Sequence, residues 1–264
     1  KQQSNSQMNF VINTWGSFRL GTDCETCNKR FMISEPIVFL PDLMCDARLF
    51  APQIDGLSHA RAVMVAPIHI GERIEEIASG ILDVTPHRFA LCGLGMGGMV
   101  AMEIVRRAPD RVSRLCLMDT NTMQEAPIRA AEREPLIVLA RAGNLEKAMQ
   151  EELGPGYLAD TQFKENISKL IFDMAISLGI LAFVRQSRAM QRRRDQQALL
   201  RKIKCPTLIL CGAKDPFYLP KRHEFIAELI ETAHLKVIED AAHFPTLEQP
   251  KETNDALRAW LSAS

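Results

Sequence analysis

Short apolar runs alternate with helical patterns along most of the chain. From Pro36 onward, six short apolar runs have the length and composition of buried strands. The predicted strands are 37–40, 62–65, 89–92, 115–118, 207–211 and 235–238. Between and after them, the predicted helices lie near 47–57, 73–83, 96–108, 221–231 and 250–262. This alternation predicts an α/β fold, with a mostly parallel sheet covered by helices on both faces.

The alternation stops between residues 121 and 204. This stretch is helical in pattern, rich in Met, Arg and Ala, and contains no convincing strand. An insertion of this length in one loop of an α/β sheet predicts a helical cap over the carboxyl ends of the strands. We therefore predict a core made of 32–120 and 205–264, with a cap at 121–204. In the cap, Arg188 and 192–194 are interpreted as a solvated helix face, with anion binding as the alternative.

The first 31 residues differ from the rest because they are polar and aperiodic. We treat 1–31 as an N-terminal extension, either native or added to the chain. Its segment 10–20 could form a short hairpin on a sheet edge or on a second copy, which would make a homo-oligomer. Cys24 and Cys27 form a C-x-x-C pair without a second ligand pair, so neither zinc nor redox use is favoured.

Composition narrows the class of protein. The 264 residues suit one large α/β domain, and 47% hydrophobic with 24% charged residues is ordinary for a globular chain. The chain has 32 Lys+Arg and 32 Asp+Glu residues, so it has no net charge that would attract nucleic acid or an anionic membrane. The apolar runs look shorter than the roughly 20 residues that span a bilayer. Seven cysteines, several in strand-like runs, and no visible secretory signal predict reduced thiols and a cytoplasmic protein.

Candidate chemistry lies where the predicted strands end, since open α/β sheets bind ligands at that edge. The third strand runs into the glycine-rich segment 93–98 (GLGMGG), the fifth is followed by Asp215, and the sixth by His243. Alone, Asp215 would be read as a turn cap and His243 as a core or surface histidine. Asp215 and His243 follow a G-x-G-x-G turn centred on Gly95, and all three are predicted to lie at the same edge of the sheet.

Four segments together resemble the α/β-hydrolase superfamily, in its cap-bearing esterase-like branch. They are 39–50 (FLPDLMCDARLF), 93–98 (GLGMGG), 211–215 (CGAKD) and 242–245 (AHFP). The resemblance implies an α/β-hydrolase fold and a small ester or related apolar substrate, without a cofactor or metal. It places Gly95 at the nucleophile position, and His243 as the base that Asp215 orients. It also implies that the amides of Met96 and Leu43 hold the oxyanion.

Two residues depart from the family pattern. Gly95 has no side chain where the nucleophilic serine is expected, which implies that the chain is an ester hydrolase by lineage and inactive as written. Asp42 stands where the family usually has glycine, and its carboxylate would repel a developing oxyanion. We therefore expect Gly95→Ser to restore ester hydrolysis, but incompletely while Asp42 remains.

Several alternatives stay open at this point. Asp119, at the end of the fourth strand, is a second candidate for the acid. The glycine-rich segment could cradle a phosphate, although no Lys-Ser/Thr follows it. The protein could also be a non-catalytic binder of small molecules, or a lyase or cofactor-free oxygenase that needs only the His–Asp pair.

Overall fold

The computed structural model describes residues 34–263, which contain a six-stranded parallel sheet. The strand order is β2-β1-β3-β4-β5-β6, and each neighbouring pair is parallel. The strands are β1 (Ser34–Leu40), β2 (Arg61–Val65), β3 (Phe89–Leu94), β4 (Val112–Met118), β5 (Thr207–Gly212) and β6 (Ala233–Ile238). All six predicted strands are present, so the predicted fold class is confirmed.

The α-helices of the described residues are α1 (Ala51–Leu57), α2 (Ile74–Val84), α3 (Met96–Arg107), α4 (Pro127–Arg141), α5 (Leu145–Leu153), α6 (Lys164–Gln191), α7 (Gln197–Leu200), α8 (Pro220–Leu229), α9 (Pro245–Glu248) and α10 (Pro250–Ser262). Helices such as α3, α8 and α10 pack on the faces of the sheet, whereas α4, α5 and α6 pack on one another. Alternate residues of each strand point to opposite faces. Phe39 therefore packs in one apolar cluster with Leu257 of α10, whereas Leu40 packs in the other with Ile77 of α2.

The segment between β4 and β5 folds as the four helices α4 to α7, and this described part of the chain has no strand. Ile137, Met149 and Phe183 from these helices are buried in the same apolar cluster as Phe39 of the sheet. Residues 34–263 form one compact unit. The boundaries of the cap at 121–204 stay a prediction. The predicted extension 1–31, its hairpin, and the pair Cys24 and Cys27 lie outside the described residues.

The length of helix α6 corrects the expectation that the apolar runs of the chain are shorter than the roughly 20 residues that span a bilayer. It covers 28 residues and is long and apolar enough to cross a membrane by length and composition alone. Gly179, at φ 80° and ψ 176°, interrupts the helix, and Ile171, Met174 and Phe183 are buried against the core. Core helices of globular proteins pass the same composition test. The sequence pattern concealed this length because polar residues divide the apolar run.

The start of α3 lies directly against the end of β1, and glycine makes this approach feasible. A β-carbon on Gly97 would overlap the main-chain oxygens of Leu40 and Pro41. This contact brings the loop that carries Asp42 next to the turn that carries Gly95.

We expect Gly97→Ala to lower the free energy of unfolding by about 1–3 kcal/mol, because main-chain atoms must move to admit the methyl group. The matched control is Gly80→Ala in α2, where a β-carbon would meet only the end of the exposed Ile70 side chain. That substitution should be neutral or stabilising by up to about 1 kcal/mol. Urea denaturation measures both, and equal effects at the two glycines would contradict the close packing.

Candidate active site

The turn between β3 and α3 centres on Gly95, whose φ of 54° and ψ of −117° lie in a region that L side chains rarely adopt. Its N–H donates to the carbonyl of Met118 over 3.0 Å, and its carbonyl accepts from the Thr120 hydroxyl over 2.6 Å. Any other residue here would carry strain of about 1–3 kcal/mol. Glycine removes both that strain and any side chain at the centre of the turn.

Asp215 and His243 meet across the ends of β5 and β6, as their order in the sequence predicted. Nδ1 of His243 lies 2.9 Å from Oδ2 of Asp215, and both side chains are buried. The other oxygen of Asp215 accepts from the N–H of Phe217 over 2.7 Å. Burial raises the pKa of Asp215, but the charge and hydrogen bond of His243 outweigh it and hold that pKa below its ordinary value. Asp215 therefore orients the ring as an ionised carboxylate.

Asp42 occupies the space that faces the centre of the turn. Its Oδ1 accepts from the N–H of Met96 over 2.6 Å, and its Oδ2 lies 3.0 Å from Nε2 of His243. A β-carbon on Gly95 would overlap both Cγ and Oδ1 of Asp42. Asp42 and Gly95 are therefore sterically dependent on each other: the carboxylate fits in this place because residue 95 has no side chain.

The two carboxylates that flank His243 favour its charged form. Burial alone would lower the pKa of His243, but the charge and hydrogen bond of Asp215, followed by those of Asp42, raise it well above its usual value. A ring with both nitrogens engaged as donors carries both protons. The raised pKa and the two carboxylate contacts favour an imidazolium held between Asp42 and Asp215, a form in which Nε2 has no free lone pair to accept a proton.

The two predicted oxyanion donors, the amides of Met96 and Leu43, have different surroundings. The N–H of Met96, at the start of the 12-residue helix α3, is used by Asp42. Leu43 lies in the turn after β1, which a hydrogen bond from the Cys45 N–H to the Asp42 carbonyl closes over 3.0 Å. In that turn Met44 has a φ of 55°, and its N–H donates to Oε1 of the buried Gln186 on α6 over 2.9 Å. The role of Leu43 stays a prediction.

Asp119, the second candidate for the acid, has another partner. Its Oδ1 accepts from the Gly212 N–H over 2.9 Å, whereas Asp215 is the carboxylate bonded to His243. Burial, and then the charge of Asp215, raise the pKa of Asp119 well above its ordinary value, so it favours the neutral form. Nearby, burial lowers the pKa of His223 to about 4, and its Nε2 accepts from the N–H of Thr120 over 3.1 Å.

Ligand atoms of Asp119, Asp215 and His243 lie within 4.8 Å of one another, a spacing that a metal ion could bridge. The donor set fits a cation poorly. Asp215 and His243 already share a hydrogen bond, and Asp119 favours its protonated form. A metal would require Asp119 to ionise and His243 to lose its proton.

Glu248 supports the histidine loop, and the sequence interpretation missed it. Its carboxylate accepts from the N–H groups of Ala242, Phe244 and Ala159 over 2.7–3.2 Å. Glu248 is the last residue of the four-residue helix α9, and its carboxylate reaches back to the N–H of Phe244, the residue before the helix. A capping box would place the acid at residue 247, which is Leu, so the sequence offers no spacing signal for this role.

Comparison with known proteins identifies the family. A model of the alpha/beta hydrolase family matches residues 38–256, so the chain belongs to this family. Among curated proteins, the chain is similar to the pimeloyl-[acyl-carrier protein] methyl ester esterase of Neisseria meningitidis. The two are 28% identical over 203 residues, which is 74% of this chain and 76% of the relative. It is also similar to 3-oxoadipate enol-lactonase 2 of Acinetobacter baylyi, at 24% over 192 residues, 71% of this chain and 70% of the relative.

Solved structures agree with this assignment. An esterase from Thermogutta terrifontis superposes with a TM-score of 0.78 at 26% identity, covering 87% of this chain and 90% of the other. The enol-lactonase from Burkholderia xenovorans gives 0.77 at 23% identity, covering 89% and 94%, which supports the fold alone. The lineage is therefore one of esterases and related hydrolases.

We expect Asp42→Asn to lower the pKa of His243, because it removes a negative charge beside Nε2 while leaving a side chain of similar size. An NMR titration of the imidazole signals measures this shift. Asp255→Asn is the control, since Asp255 is an exposed carboxylate on α10. An unchanged His243 pKa in the Asp42 variant would contradict the bridge between the two side chains.

Proposed function

We propose that this chain is a carboxylic ester hydrolase by descent in which the acyl-transfer route is closed. One observation supports this proposal most directly. The carboxylate of Asp42 fills the space in front of Gly95, where the β-carbon of a nucleophilic residue would lie. The site therefore lacks the hydroxyl that starts acyl transfer, and it also lacks room for one.

Three components of serine-type hydrolysis are affected: the nucleophile, one oxyanion donor and the base. Loss of a triad nucleophile costs on the order of a million-fold in turnover. The Met96 N–H that would hold an oxyanion already binds Asp42, and Nε2 of His243 faces the same carboxylate. A single oxyanion donor is worth roughly 3–4 kcal/mol, so the use of this N–H by the Asp42 side chain is a further loss.

The named relatives support ester chemistry as the origin of the site. The Neisseria relative is a methyl ester esterase and the Acinetobacter relative is an enol-lactonase, and both names describe carboxylic ester or lactone cleavage. For this chain we infer a small ester or related apolar ligand as the ancestral substrate class. The intact pair of Asp215 and His243 is consistent with that descent.

The other two functions stay predictions with less support. A lyase or oxygenase that uses His243 as its base requires a free Nε2, but this nitrogen lies 3.0 Å from Asp42. A non-catalytic binder requires only the fold and a pocket, and no contact of the site favours it over the closed hydrolase.

The position of Asp42 changes our expectation that Gly95→Ser alone would restore part of the ester hydrolysis. Gly95→Ser alone should stay at the buffer rate, because its β-carbon would overlap the Asp42 carboxylate. Asp42→Gly alone should also stay inactive, because it supplies no nucleophile. The double variant should hydrolyse p-nitrophenyl acetate, since it restores the hydroxyl, frees the Met96 N–H and releases Nε2 of His243.

Initial rates of nitrophenol release distinguish these outcomes. Adding His243→Ala to the double variant is the control, and it should remove the gained activity. Thermal melting confirms that each variant folds. Ester hydrolysis by the unmodified chain would contradict the closed route, and so would a folded double variant that is no faster than buffer.

A further inference from the structure

A cleft of about 560 Å³ lies apart from the turn at Gly95. It is bounded by helices α2 and α3 on one side and by the segment 193–202 on the other, and neither Asp42 nor His243 lines it. Binding sites for small molecules occupy roughly 300–1,000 Å³, so the cleft has the size of such a site. The closed acyl-transfer route gives it no role.

Part of the cleft wall is apolar. Ile74 of α2, Met99 of α3 and Leu199 of α7 line it, and all three side chains are buried in the protein. Contact with these side chains would remove an aliphatic group of a ligand from water, which is favourable. This part of the wall therefore favours a ligand that has an aliphatic portion.

Two arginines of the run 192–194 also line the cleft, and each already has a carboxylate partner. Arg193 is buried, and its Nη1 lies 3.2 Å from Oε2 of Glu125. Arg194 is 78% exposed, and its Nε lies 3.2 Å from Oε1 of Glu75. The run is therefore neither a wholly solvated helix face nor, by itself, an anion site.

Two charged groups of the wall lack a matching group. Oε2 of Glu75 is buried and accepts no hydrogen bond from residues 34–263, although Oε1 of the same carboxylate pairs with Arg194. Lys202 is exposed and makes no ion pair with any residue in the described part of the chain. A buried carboxylate oxygen without a donor costs free energy, so a cationic N–H group that reached Oε2 would bind favourably.

We propose that this cleft binds a small zwitterion with an aliphatic side chain, that is, an apolar amino acid or dipeptide. The ammonium group of the ligand donates to Oε2 of Glu75. Its carboxylate pairs with the ammonium group of Lys202, and its aliphatic side chain packs on Met99 and Leu199. Glu75 keeps its contact with Arg194 through Oε1.

Both charges of the ligand are needed to match the wall. A fatty acid would pair with Lys202 but would leave Oε2 of Glu75 without a donor, and an alkylamine would do the reverse. Arg106 adds no second anion site, since it donates from Nε and Nη2 to the buried Glu103 over 2.7 Å each. One ammonium group and one carboxylate are therefore the charges that the cleft selects.

The test compares four ligands by isothermal titration calorimetry with the full chain: L-leucine, leucyl-leucine, 4-methylpentanoate and 3-methylbutylamine. The last two are leucine without its ammonium group and leucine without its carboxylate. Each should bind roughly ten- to a hundred-fold more weakly than the tighter zwitterion, because each loses one charged hydrogen bond. The ratio between leucine and leucyl-leucine shows whether the cleft takes the free amino acid or the peptide.

Substitutions assign each charge to its partner. Glu75→Gln should remove the advantage of the zwitterion over 4-methylpentanoate, and Lys202→Gln should remove its advantage over 3-methylbutylamine. The matched controls are Glu228→Gln on α8 and Lys147→Gln on α5, two exposed residues outside the cleft, which should leave all four affinities unchanged. Ala198→Phe, which places a ring in the cleft, should weaken every ligand.

The ¹³C-methyl NMR signal of Met99 reports the location of the ligand, and it should shift when the zwitterion binds. Two results would overturn the proposal for a chain that melts cooperatively. One is that neither leucine nor leucyl-leucine shifts the Met99 signal. The other is an affinity for the tighter zwitterion that is the same in Glu75→Gln, Lys202→Gln and Ala198→Phe as in the unmodified chain.

Discussion

The Asp42 carboxylate, held between the Met96 N–H and the His243 ring, is the contact on which the character of this site depends. It exists because Gly95 leaves the centre of the turn empty, and a β-carbon there would overlap it. Each residue thus determines whether the other is tolerated. The buried contact between Asp42 and His243 therefore requires a residue without a side chain at position 95.

The contact between Asp42 and His243 has consequences for stability. Removing one partner of a buried ion pair leaves the other charge unpaired, which lowers the free energy of unfolding by about 3–5 kcal/mol. His243 lies between two carboxylates, so loss of Asp42 still leaves the Asp215 pairing in place. Glycine at residue 95 also avoids the backbone strain that a side chain would carry at a φ of 54°. The unmodified pair of residues is therefore compatible with a stable turn.

Much of the fold could be predicted because its signals are local. Apolar runs bounded by helical patterns located all six strands, and the order of strand ends placed Asp215 beside His243. The contact of Asp42 with His243 spans 201 positions along the chain, and no local pattern encodes it. The sequence predicted that Asp42 would disturb the oxyanion. It did not predict that the carboxylate would reach the imidazole.

Two other features were missed for physical reasons. Glu248 supports the histidine loop through main-chain N–H groups, which any sequence supplies, so no side-chain pattern in the sequence indicated the role. Helix α6 is longer than its apolar runs suggested, because polar residues divide those runs, and the helical segment continues beyond the kink at Gly179. The roles of Leu43 and the cytoplasmic location stay predictions.

Labelling with a fluorophosphonate, which modifies an activated serine in an open site, tests the mutual dependence of Asp42 and Gly95 most directly. The measurement is the intact mass of Gly95→Ser and of the double variant Asp42→Gly with Gly95→Ser, followed by mapping of the labelled residue. The account predicts a label on residue 95 of the double variant and none on the single variant, since Asp42 fills the space that the reactive side chain needs. Equal labelling of the two variants would show that Asp42 does not close the site.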